Sequence, residues 1–108
     1  MTTEKMESAC NRATELSASI LGFLEREQAK DIRGVLVRAR YHVSMAAEAF
    51  KMLWLHESIL SWWTAEHDGG ELLADAREHL TKCIGHLKCT PHTGFIQAAE
   101  ALLAAVSL

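Results

Sequence analysis

Five side chains that can bind metal or carry a proton recur in one short segment, His79-x3-Cys83-x2-His86-x2-Cys89-x2-His92. Imidazole and thiolate are the ligands zinc prefers, and residues three or four apart on a helix share a face, so His79, Cys83 and His86 make a candidate metal site. Asp75 lies one turn before His79 on nearly the same face. Two features oppose the site. His79 and His86 stand about 10 Å apart along a helix axis, so one ion would have to draw both rings inward. No second metal-like pair recurs at a recognisable spacing elsewhere. The competing reading makes Cys83 a small core residue with both imidazoles at the edge of an apolar face.

Other chemistry is thinner. The Glu-x-x-His motifs that build carboxylate-bridged dimetal sites in helical bundles are missing, and no serine or cysteine stands in a nucleophile motif. The expectation is a protein that is not an enzyme and carries no cofactor. His42 and His56 fall on the apolar side of a long helical segment. A histidine there can contact a ligand, but its commoner role is a core residue bonded to backbone. His56, between two apolar stripes, is the candidate pocket residue. Large apolar side chains gather nearby: Met45, Met52, Trp54, Trp62 and Trp63. Trp54 reads as core. Trp62 and Trp63 lie about 100° apart on a helix, so they cannot both face one core.

These residues need elements to position them, and the clearest element is helical. Ile32, Leu36, Ala39, Val43, Ala46, Phe50, Leu53 and Leu60 follow steps of four and three, with Glu57 the one charged member of the series. That is the repeat of a helix face docked on other helices. A helix from about Asp31 to about Trp63 would be roughly 48 Å long, against a diameter of roughly 33 Å for a compact domain of this size. Such a helix must kink or project. A second stripe, Met45, Met52, Ile59 and Trp63 with Leu55 and Trp62 alongside, leaves only Ser44, Glu48, Lys51 and Ser58 as a polar face.

Three shorter helices surround it. The first spans about Glu4 to Gln28, with Met6, Ala9, Ala13, Leu16, Ile20 and Phe23 inward and Thr2 or Thr3 as cap. Asp68 and Glu71 form a capping-box spacing that opens a third helix to about Lys88, burying Leu73, Ala76, Leu80, Cys83 and Leu87. Pro91 ends it. A fourth begins near Pro91 or Thr93, capped by Thr90 or Thr93, with Phe95, Ala98, Leu102 and Ala105 or Val106 inward. The fold class is all-α, a four-helix bundle-like single domain over 1–108 with one long central helix.

Composition bounds the function. The chain has 108 residues, 49% hydrophobic and 23% charged, which is a globular profile. A net charge of −3 argues against nucleic acid, which usually selects a basic excess. Arg26, Lys30, Arg33 and Arg40 would share a face if one helix ran through them, but Glu25, Glu27 and Asp31 intersperse it. MTTEKMESAC has acids where a signal peptide needs a basic start, and the apolar runs are too short for a bilayer. With Cys10, Cys83 and Cys89 an odd number, reduced thiols in the cytoplasm are expected. The first functional reading is a non-enzymatic protein–protein interaction module, a small regulator, adaptor or inhibitor. Its partner is a second copy or another protein, met through Met52, Leu55, Ile59, Trp62 and Trp63. The second is a small-ligand-binding bundle with His56 in a pocket, and the third is the metal protein.

Overall fold

The repeat that starts at Ile32 is a buried seam in the folded chain. The computed structural model describes residues 3–59 and 69–107. Within them are four α-helices and no strand: α1 Thr3–Leu24, α2 Lys30–Ile59, α3 Gly69–Leu87 and α4 Thr93–Ala105. Leu36, Ala39, Val43, Ala46 and Phe50 of α2 are buried, with Ile32 and Leu53 partly so at the ends. Burying a side chain the size of phenylalanine contributes about 1.5–3 kcal/mol. Trp54 packs against this core, as expected.

The helices close a ring. α1 packs on α2, α2 on α3, α3 on α4, and α4 on α1. Alanine is what lets them approach: Ala9 and Ala13 on α1, Ala46 and Ala49 on α2, Ala76 on α3 and Ala99 on α4 are all buried. The molecule is a rod, 49 × 21 × 18 Å. At about 45 Å the thirty-residue α2 fits that long axis, so the mismatch with a spherical domain disappears. The thirteen-residue α4 is about 20 Å long and closes the ring over less than half of it.

Three details differ from the periodicity. α1 ends at Leu24, and Leu24 rather than Phe23 completes its seam. Its end needs no proline or glycine: the Glu27 carboxylate accepts the Ala29 N–H at 3.1 Å, and Arg33 Nη1 donates to the Glu27 carbonyl at 3.1 Å. Arg26 is thereby outside α2 and off any shared basic face. Phe23 turns instead toward the start of α4, its ring edge-on to His92 at 4.6 Å and Phe95 at 5.3 Å.

The fourth helix keeps the expected Phe95, Leu102 and Val106 on its inner face, with Ala99 in place of Ala98, which is exposed. His92 is its N-cap, without a side-chain cap bond, so neither Thr90 nor Thr93 caps it. Thr90 instead ties the turn, its hydroxyl donating to the Leu87 carbonyl at 2.7 Å and accepting the His92 N–H at 3.3 Å. At the other end Arg77 Nε donates to the Val106 carbonyl at 2.7 Å, satisfying a terminal acceptor the helix leaves open. Leu60, Asp68, Thr2 and the Trp62–Trp63 pair lie outside the described residues.

Phe50→Ala should cost about 3–5 kcal/mol in urea unfolding, whereas Lys51→Ala, next to it but exposed, should stay within about 0.5 kcal/mol. Similar losses for the two would displace the seam.

Candidate functional site

The seam between α2 and α3 is edged by three imidazoles. On α3 the heptad spacing of His79 and His86 puts both on the side that meets α2, about 10 Å apart along the axis. His42 of α2 fills that gap. Its Nδ1 lies 2.9 Å from Nδ1 of His79, and its ring stacks on that of His86 with centroids 5.5 Å apart and planes 9° apart. Tyr41 sets its ring edge-on to both His42 and His79, at 5.1 and 6.3 Å. All three histidines are half-buried. The expected backbone partner for His42 is therefore replaced by another imidazole.

Electrostatics follow from that crowding. The pKa of His42 is lowered from its ordinary value, first by burial and then by the positive charge that His79, His86 and Lys82 would bring. Lys82 is itself paired with Glu78 at 3.2 Å on the exposed side of α3. The pair His42–His79 can share a proton in one N–H···N bond.

Cys83 does not join it. Its side chain is fully buried in the core, and burial pushes its thiol up to about 12, which disfavours the thiolate a metal needs. Among the described residues no group of three or more His, Cys, Asp or Glu side chains is placed to hold a metal ion. His79 and His86 thus meet through a third imidazole, and the expected set of His79, Cys83 and His86 does not converge. All three cysteines are free thiols, Cys10 half-buried and Cys89 exposed.

A second feature lies on the same helix. Along the outward side of α2, Val37 and Tyr41 are each 55% exposed, Met45 39%, Met52 44% and Leu55 36%. At about 100° per residue these five fall within about 80° of one another, opposite the buried seam. Met52 and Leu55 were expected there. His56 and Ile59 are placed as α2 backbone, and Trp62 and Trp63 fall outside the described residues. Val37 and Tyr41 extend the stripe and were not anticipated, although their four-residue spacing to Met45 signals it. Ser44, expected on a polar face, is half-buried against α1, its hydroxyl 2.8 Å from that of Ser17. Beside the stripe a groove of about 320 Å³ is lined by Leu24, Val37, Arg40, Tyr41 and Ser44. No helix among the described residues is long and apolar enough to cross a membrane.

No family model, no curated protein and no solved structure matches this chain. The geometry of the molecule itself carries the functional argument.

With a thiol-reactive disulfide reagent at about pH 8, Cys10 and Cys89 should react promptly. Cys83, protonated four units below its pKa of about 12 and shielded, should react only in denaturant. Three equally fast thiols would contradict its burial.

Proposed function

We propose that this protein is a non-enzymatic helical interaction module, a small regulator, adaptor or inhibitor, that associates with a second copy of itself through the outward face of α2. One observation carries the reading: Val37, Tyr41, Met45 and Met52 stand exposed in line on the side of α2 away from the core. Scattered exposed apolar residues are ordinary, but a contiguous row of large ones marks an interaction surface. Aromatic residues and methionine are the types enriched at interface cores, methionine because its flexible thioether adapts to a facing surface.

A two-fold axis suits such a row. Each copy presents the same stripe, and an isologous contact buries both at once. The helix spans the rod, so two α2 helices can lie side by side over most of its length. Glu48 is the charged residue within the stripe, exposed between Met45 and Met52. Near a two-fold axis two such carboxylates repel, which limits affinity and favours a reversible dimer over a permanent one.

Light scattering across a concentration series should show the mass rising from 12.0 kDa toward twice that value. Met45→Glu and Met52→Glu should hold the monomer at every concentration and keep the unfolding midpoint of the dilute wild-type monomer, since both side chains are exposed. Glu48→Ala should tighten the dimer. A wild-type mass of one subunit throughout, at concentrations where a micromolar dimer would form, would overturn the reading.

A further inference from the structure

The three imidazoles have a property beyond association, and it follows from which atoms meet. The bond between His42 and His79 runs from Nδ1 to Nδ1 at 2.9 Å. A nitrogen–nitrogen hydrogen bond needs one N–H and one lone pair. Two neutral rings can form it, and so can one neutral ring with one imidazolium. Two imidazolium rings cannot: both Nδ1 atoms are then donors, and the bond becomes a repulsion between like charges at hydrogen-bond distance. His86 faces His42 from its other side, rings nearly parallel, and adds a further charge when it protonates.

Every group that acts on His42 pushes the same way. From α3 these are His79, His86 and Lys82, all of which lower its pKa. On α2 its ring neighbour is Tyr41. From α1 the polar side-chain contact with this part of α2 is a hydroxyl pair, Ser17 with Ser44. Among the described residues nothing that shifts His42 favours its charged form, and no trio of ligands is placed to hold a metal there. The charges would gather across a packed seam, His42 on one helix and the rest on the other, so they press α2 and α3 apart.

We propose that His42, His79 and His86 form a proton-operated latch on the α2–α3 seam, closed while the His42–His79 pair holds at most one extra proton and released when both rings are charged. The sign is fixed by His42, whose pKa in the folded chain lies below its ordinary 6.5. The unfolded chain binds that proton more readily, so the latch contributes fully above about pH 6.5 and is lost as pH falls through the folded value. It requires no second copy of the chain, and it fails or stands independently of the dimer.

Imidazole nitrogen NMR on the intact labelled protein tests the closed state. At about pH 8, His42 and His79 should occupy opposite tautomers, one carrying its proton on Nδ1 and the other on Nε2. On acidification His42 should titrate below 6.5. Amide-exchange protection factors, which remove the intrinsic pH dependence of exchange, test release. Protection across residues 76–87 of α3 should fall about tenfold between pH 7.5 and 5.5, and His42→Gln, which keeps a hydrogen-bonding amide but cannot titrate, should remove most of that fall. His86→Gln leaves the pair intact and should raise the pKa of His42, giving a readout even where His42→Gln folds poorly. Matching tautomers, a His42 pKa at or above 6.5, an unchanged His42 pKa in His86→Gln, or an equal loss of protection in His42→Gln would each overturn the latch.

Discussion

The packing of α2 along its length, with α1 on one flank and α3 on the other, is the constraint on which the rest of the molecule depends. A helix has room for several neighbours around its circumference, and the C-terminal half of α2 is apolar on most of it. Among the described residues α1 and α3 supply the main packing of α2, and α4 docks chiefly on α1 and α3. The seam of Leu36, Ala39, Val43, Ala46 and Phe50 is thereby buried, and the opposite row from Val37 to Leu55 stays in contact with solvent. The apolar outward face is thus a consequence of how the ring closes, and both come from one helix having more apolar surface than neighbours.

Polar side chains mark the two edges of that buried seam. Ser44 meets Ser17 of α1 on one edge, and His42 meets His79 of α3 on the other, two residues away along α2. A polar pair in a mostly apolar seam has one register in which both members are satisfied, and a slip leaves each without a partner at a cost of about 1–3 kcal/mol. Apolar contacts alone tolerate sliding far better. These two pairs therefore favour one register of α1 and α3 on α2, within the alignment that the apolar seams select. The imidazole pair differs from the hydroxyl pair in one respect: its hydrogen bond depends on protonation.

Burial divides the titratable groups of α3 into two kinds. Cys83 points into the core, where low polarity raises its thiol to about 12 and makes it inert. His79 and His86, on the same helix, stand at the rim of the seam, where water reaches them and protons can exchange. The same chemical cluster in the sequence is separated by a rotation of less than half a turn into a packing residue and two responsive ones.

Much of this was legible in the residues themselves. The seams of α2 and α3, and most of that of α1, follow from three-four spacing, because which side chains share a helix face is a local property of a chain with about 3.6 residues per turn. The helical class followed for the same reason, as did the exposure of Met52 and Leu55. Ends and short elements were less legible. No breaker residue marks the end of α1, which is decided by where the Glu27 carboxylate finds the Ala29 amide. In α4, apolar residues at 95, 96, 98, 99, 102 and 103 leave several faces plausible, and docking on α1 and α3 selects the one through Ala99. Only the tertiary structure could bring His42 between His79 and His86, positions 37 and 44 residues away. Periodicity says which way a side chain points from its own helix, but the alignment of two helices depends on the summed packing of both seams, and that sum exists only once they are in contact.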